Sequence, residues 1–425
     1  MSTGILALLI VLLTLILMIL QIFPLAVTAL LSAFLMAVFG MITPKEILAQ
    51  FGTGTFFCVP GMMVVGGAIF KTGLAKKIGR LVLRGQNNER LLIVVLIVTV
   101  TLMSGFLSNT TCAAMFLPLA ASVARDSNGR ISRKNTFLCI GYAATLGGCA
   151  TLVGSPSQHL LAQDLLQEAG YPLMSFFFGT PATLLMMAVM ALYFCTIGYR
   201  LEKKVFDFED PKDRELPAPA EEGPEKLSFR MILSGVILVG TVSCIAAGVL
   251  GSGEGALLGA VLVVASRCLS LEDALDCINW PICLMLGGLF AMTKGFNNSG
   301  AGELIVNSVI RVMGSGASPM LIFALCMLLA SFLTNILDNI ATQALLGPTF
   351  LSLAVFYHIN PVTMLYALVF ACNLAYLTPV GTPAVAMTLS GGYRFRDYSR
   401  VGFPLWLLGY LFILFVIPLL YGFSF

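Results

Sequence analysis

Apolar residues gather in runs near 4–20, 22–41, 53–70, 91–124, 135–169, 175–198, 231–250, 254–268, 279–296, 318–357, 361–391 and 402–423. A helix needs about 20 mostly apolar residues to cross a hydrocarbon core about 30 Å thick. The runs therefore predict about ten transmembrane helices. Two runs are too long for one crossing. Residues 91–124 number 34, and would reach ~51 Å as a helix rising 1.5 Å per residue. Residues 318–357 behave alike. Each is interrupted near its middle, by Ser108-Asn109-Thr110-Thr111 in the first and Asp338-Asn339 in the second. Each is expected to fold back as a re-entrant hairpin with a polar tip.

The halves resemble each other. "SNTTCAAMFLP" (108–118) matches "DNIATQALLGP" (338–348), and "TLVGSPS" (151–157) matches "TPVGTPA" (378–384). The two matches keep their order at nearly one offset. Weak internal symmetry of this kind marks secondary transporters. The expected fold class is an all-α polytopic membrane protein with two inverted five-helix repeats. The first repeat spans 1–198, with hairpin 91–124 and broken helix 135–169. The second spans 230–425, with hairpin 318–357 and broken helix 361–391. The charged, Pro-containing stretch 199–229 reads as a cytoplasmic linker loop.

Charge fixes the expected orientation. Cytoplasmic loops are enriched in Lys and Arg. If each long run is a hairpin, segments 71–90, 125–134, 199–230, 267–278 and 394–400 share one side. They carry 21 of the 24 Lys and Arg, leaving Lys45, Lys294 and Arg311. The first hairpin is flanked by basic segments and the second by almost none, so the two enter from opposite faces. Both termini are then outside.

Composition agrees and excludes other classes. Charged residues make up 11% of the chain and mean hydropathy is +0.94, whereas soluble domains carry about 25% charged residues. A net charge of +3 gives no reason to expect nucleic acid. The eleven Cys show no C-x-x-C spacing and the two His, His159 and His358, stand far apart. No zinc site, disulfide framework or nucleophile–base pair is expected, and the chain does not read as an enzyme. Run 4–20 lacks a basic n-region and a cleavage site, so it reads as a retained helix.

The polar tips carry the chemistry. Irregular backbone at membrane depth is tolerated only where protein packs it or a cavity is lined by it. Ser108, Asn109 and Thr110 offer hydroxyl and amide groups, and the helix after them directs its positive end at the site. Carbonyls ending a half-helix can hold a cation such as sodium. Gly154-Ser155-Pro156 and Gly381-Thr382-Pro383 are the expected unwound points, since Gly permits unusual angles and Pro removes a donor. Simpler roles stand beside these. Ser108 and Asp338 are both apt helix N-caps. Yet Asp338 is the only carboxylate in 318–357, and intramembrane carboxylates are costly. Lys294 is placed within a span, free to snorkel.

At these residues the chain resembles the divalent anion:sodium symporter family of the ion transporter superfamily. The carrying features are "SNT" in the first tip, "GGCATLVGSP", "LTPVGTPAVAM", "GGLFAMTKGFNNSG" (287–300) and "GYRFRDYSRVG" (392–402). The resemblance implies a homodimer with a fixed scaffold and a transport domain moving as an elevator. It implies one sodium half-site at Ser104, Ser108, Asn109 and the Gly154 carbonyl. A second is implied at Thr334, Asp338, Asn339 and the Gly381 carbonyl. The anion is expected on Ser108, Asn109, Thr110, Ser155, Asn339 and Thr382. Departures from the family pattern are Asp338 and Ile340 in the second tip, and Ser157-Gln158 where Pro-Asn is usual. Eleven-helix members carry an extra leading helix, which this chain is expected to lack.

The expected function is sodium-coupled symport of a small di- or tricarboxylate-like anion across a bacterial-type inner membrane. The alternative within the superfamily is a cation/proton antiporter or an arsenite/metalloid-anion efflux permease, with Asp338 carrying a proton.

Overall fold

The computed structural model describes residues 2–20, 22–83, 88–127, 129–210, 228–313 and 317–424. These form twenty-one α-helices and one 3-10 helix. Three helices are each long and apolar enough to cross a membrane: Phe229–Ala246, Asn339–Phe356 and Phe395–Tyr421. Two bent pairs join them, Phe56–Lys71 with Leu74–Leu83 at 56° and Thr180–Cys195 with Ile197–Val205 at 49°. Five further apolar helices have 10–17 residues. The protein is an all-α polytopic membrane protein.

Both long runs split at their polar interruptions. Helices Glu89–Ser104 and Asn109–Asp126 flank the first tip, and Pro319–Leu333 and Asn339–Phe356 flank the second. Glu89 accepts from the Ser132 amide at 2.8 Å, just past Asn109–Asp126. Phe323 packs edge-on against Phe423 at 5.6 Å, and Phe423 accepts from the Asn360 amide at 2.8 Å, just past Asn339–Phe356. The first contact lies at the start of helix Arg133–Gly147. The second lies by Tyr421, whose hydroxyl donates to the Phe178 carbonyl at 2.7 Å, beyond the end of Pro156–Glu168.

Helix Arg133–Gly147 packs against both helices of the first split run, and Pro361–Cys372 against both helices of the second. Another body is built from Leu25–Val38 on Trp280–Asn298 and Gly54–Lys71 on Ser252–Ala265. Small residues let these backbones touch. A Cβ on Gly61 would lie 2.8 Å from the Ala256 carbonyl oxygen, and one on Gly288 would lie 2.7 Å from the Ala29 carbonyl carbon.

Polar contacts sort the loops. Asp210 accepts from Ser132 Oγ at 2.8 Å and from the Lys134 amide at 3.1 Å. Lys71 pairs with Asp273 at 2.5 Å. Other contacts join a different set of loops, Asn297 with Glu168 at 3.0 Å and Thr3 with the Ser299 carbonyl at 3.3 Å. Lys294 belongs to that second set. It lies near the end of Trp280–Asn298, with its ammonium 3.8 Å from Glu46.

One expectation needs correction. The linker 199–229 is not loop from its start, because helix Ile197–Val205 runs into it and buries Tyr199 and Glu202. Tyr199 donates to Glu89 at 2.5 Å, and Arg90 and Lys203 each sit 4.6 Å from its ring. Residues 211–227 of the linker lie outside the described residues. In the second half, residues 361–391 form a helix, a break and a short downstream arm. After Pro361–Cys372 and an irregular stretch, only Pro383–Ala386 and the 3-10 turn Met387–Gly391 follow. Thr388 donates to the Val385 carbonyl at 2.6 Å, and Gly392 at φ 85° turns the chain away.

Candidate functional site

Each tip is built by a cap. Ser108 has extended backbone angles and its Oγ accepts from the Thr111 amide at 3.2 Å. Asp338 has nearly the same angles, and its Oδ1 accepts from the Ile340 amide at 2.9 Å. Both residues therefore satisfy orphan donors at a helix start. The capping role and the tip position coexist.

The residue after each cap is an asparagine held by the preceding arm. Ser104 Oγ lies 2.7 Å from the Ala144 carbonyl oxygen and 2.9 Å from Asn109 Oδ1. Thr334 Oγ1 lies 2.6 Å from the Cys372 carbonyl oxygen and 2.7 Å from Asn339 Oδ1. A hydroxyl has one proton, so each faces two acceptors with one donor. The turns are held alike. Thr151 donates to the Gly105 carbonyl, and Thr378 donates to the Asn335 carbonyl at 2.6 Å. Ser104, Thr334 and Gly381 lie behind the tips, with Ser104 and Thr334 wholly buried.

Oxygen crowds both glycines. A Cβ on Gly154 would sit 2.9 Å from the Ser104 and Gly148 carbonyl oxygens and 3.1 Å from that of Gly147. One on Gly381 would sit 2.6 Å from the Thr334 carbonyl oxygen. Among the described residues no group of three or more His, Cys, Asp or Glu could hold a metal. The oxygens available at the tips and breaks are hydroxyls, amides, carbonyls and the Asp338 carboxylate, which suit a hard cation and not a zinc-like ion.

A cavity of about 170 Å³ joins the two halves. Ser108, Asn109 and Thr110 line it from the first tip, and Gly154 and Ser155 from the first break. Asp338, Asn339 and Ile340 line it from the second tip, and Thr382 from the second break. Met62, Met63, Phe106 and Ile282 add apolar wall. Helices Asn109–Asp126, Pro156–Glu168 and Asn339–Phe356 all begin at this wall, so three positive helix ends face it. The lining holds one carboxylate, Asp338, and no Lys, Arg or His. What this lining offers an anion is amides, hydroxyls and helix ends.

Sequence reasoning missed two residues. Gln158 lines the cavity just past the first break. Asn373 follows helix Pro361–Cys372 and accepts from Asn339 Nδ2 at 3.2 Å. Gln158 stood out only as a departure from the family pattern. Asn373 sits in no motif, and its side-chain partners, Asn339 and Gln158, are far away in sequence.

Comparison with known proteins agrees with this architecture. The citrate transporter family (CitMHS) matches residues 15–355. The sodium-dependent dicarboxylate transporter SdcS of Staphylococcus saprophyticus is 26% identical, over 97% of this chain and 85% of its own. SdcS of Staphylococcus aureus strain USA300 is 23% identical over the same shares. The YdaH transporter of Alcanivorax borkumensis superposes with a TM-score of 0.62 at 12% identity, covering 88% of this chain and 86% of that one. MtrF of Neisseria gonorrhoeae, from a class of antimetabolite efflux pumps, gives 0.61 at 16% identity, covering 96% and 94%. The match extends through the first hairpin, the first break and the second tip, and the chain belongs to the citrate transporter family.

Proposed function

We propose that this membrane transporter carries a small di- or tricarboxylate inward together with sodium. The observation that carries the reading is the single cavity lined by both tips, which has one carboxylate and no fixed cation. The first tip supplies neutral donors for the anion: Ser108, Asn109 and Thr110, with Ser155 and Thr382 from the breaks. Sodium binds oxygens at Ser104, Ser108, Asn109 and Gly154, and at Thr334, Asp338, Asn339 and Gly381. Its charge offsets the repulsion between Asp338 and the anion. The sodium-dependent dicarboxylate relatives support this assignment.

The reading extends to the whole molecule. Repeats 1–198 and 230–425 are inverted around the cavity. The hairpins and broken helices form a transport domain that moves as an elevator against the scaffold helices of a homodimer. The basic loops face the cytoplasm of a bacterial cell and the termini face outward.

The test is uptake of labelled succinate or citrate by proteoliposomes. Saturable uptake driven by an inward sodium gradient, and absent with choline, is the expected result. Equal uptake in choline contradicts sodium coupling. The cavity position of Asp338 favours one second reading, proton-coupled exchange. In that case an imposed pH gradient drives transport without sodium, and Asp338→Asn abolishes it.

A further inference from the structure

A row of amides runs from the second tip to Gln158. Asn339 Nδ2 donates to Asn373 Oδ1 at 3.2 Å, and Asn373 Nδ2 donates to Gln158 Oε1 at 2.9 Å. The direction of this row is forced. Asn373 Nδ2 also donates to the Val369 carbonyl at 2.8 Å, and turning that amide over would set two oxygens against each other. Asn373 must therefore present its nitrogen to Gln158 and its oxygen to Asn339. Gln158 must answer with Oε1, and Asn339 with Nδ2.

The two ends of the row are chemically opposite. At one end stands Gln158 Nε2, which has no hydrogen-bond partner on a side chain only 2% exposed. At the other stands Asn339 Oδ1, sharing the single Thr334 proton with the Cys372 carbonyl. The backbone of Gln158 is fixed as well, since Gln343 Nε2 donates to its carbonyl at 2.5 Å. The first half has no such row. There Asn109 Nδ2 ends on Ser155 Oγ at 3.3 Å.

We propose that Gln158 Nε2 binds a carboxylate of the transported anion, and that the aligned amides Asn339–Asn373–Gln158 tie its strength to the cation at the second tip. A buried donor left without an acceptor is costly; Gln158 belongs to the cavity wall with Nε2 almost fully covered, and a carboxylate oxygen that displaces this cover relieves that cost. A cation at Asn339 Oδ1 polarises each amide in the same sense and makes the Gln158 N–H a better donor. Because the first tip supplies donors of its own, the pair favours anions with two or more carboxylates over monocarboxylates. The inference rests on the carboxylate–sodium transport reading.

Gln158→Glu isolates the unpartnered nitrogen. It keeps an oxygen for Asn373 and replaces the free N–H with an oxygen that repels anions. The readout is the melting temperature of the purified full chain, titrated with succinate in sodium chloride and in choline chloride. The wild type is expected to be stabilised by succinate in sodium. In Gln158→Glu the succinate Kd should rise about ten- to a hundredfold, while the anion-free response to sodium is kept. Asn373→Asp is the second variant, used if the first does not fold. It accepts only, so Gln158 must turn its nitrogen inward, and the same loss of succinate affinity is expected. Wild-type succinate affinity in a folded Gln158→Glu or Asn373→Asp protein overturns the inference alone. A wild type that neither succinate nor citrate stabilises overturns the transport reading, and the inference with it.

Discussion

The two tips share a frame and differ in charge. Ser108-Asn109-Thr110 and Asp338-Asn339-Ile340 each begin with a helix cap and each fix an asparagine against a buried hydroxyl and a backbone carbonyl. The first tip is neutral and has two hydroxyls. The second exchanges one hydroxyl for a carboxylate and the other for an isoleucine. The frame depends on hydrogen bonds made behind the tip, which cap identity hardly affects. The surface in front is therefore free to diverge. In the proposed reading the second tip adds a charged cation ligand, and the first offers the anion more neutral donors.

The largest effect should come from breaking the shared frame. Asn109→Ala and Asn339→Ala each remove two hydrogen bonds at the cavity wall. Each should lower sodium-driven succinate uptake by about a hundredfold or more, at roughly 1–3 kcal/mol per lost bond. A variant with near-normal uptake would separate that tip from the site.

Filling the glycine spaces should come next. In Gly154→Ala the new Cβ meets three carbonyl oxygens, and in Gly381→Ala it meets the Thr334 carbonyl. Overpacking of this kind costs about 1–3 kcal/mol. Both variants should melt lower and lose much of their sodium response. A variant that melts lower but keeps its full sodium response would place the cation elsewhere.

Making the tips alike sharpens the comparison further. Asp338→Ser with Ile340→Thr keeps a capping side chain and restores the missing hydroxyl. Sodium affinity should fall about tenfold, as expected for loss of one charged ligand, while the fold is retained. Unchanged sodium affinity in uptake assays would show that Asp338 serves only as a cap. Ser108→Ala should have the smallest effect on stability, since loss of its cap costs about 1 kcal/mol, read as a modest drop in melting temperature. Because Ser108 also stands in both proposed sites, the variant's succinate and sodium affinities should fall as well.

Much of this arrangement can be read along the chain because it follows from local rules. An apolar run too long for one crossing and interrupted by polar residues must break, and both runs are split into two helices there. The breaks at Gly154 and Gly381 show for the same reason. The rest depends on contacts across long distances. Gln158 and Asn373 lie 215 residues apart, and neither carries a periodic or charged signal. Helix Ile197–Val205 hides in a charged stretch because Tyr199 and Glu202 are buried by tertiary neighbours, Glu89 among them. The second break looks like the first in sequence. Its downstream arm ends in the 3-10 turn Met387–Gly391, where Thr388 bonds Tyr398 and Gly392 takes a positive φ.

The division of labour between the tips is tested most directly by melting purified wild type and Asp338→Asn in sodium chloride and in choline chloride. Ionic strength should be equal and pH varied. A sodium-specific rise in the wild type that shrinks in Asp338→Asn is the predicted result, because a ligand that binds only the folded state stabilises it. A wild type indifferent to sodium, whose melting point moves with pH only while Asp338 is present, would contradict the account and make Asp338 a proton carrier.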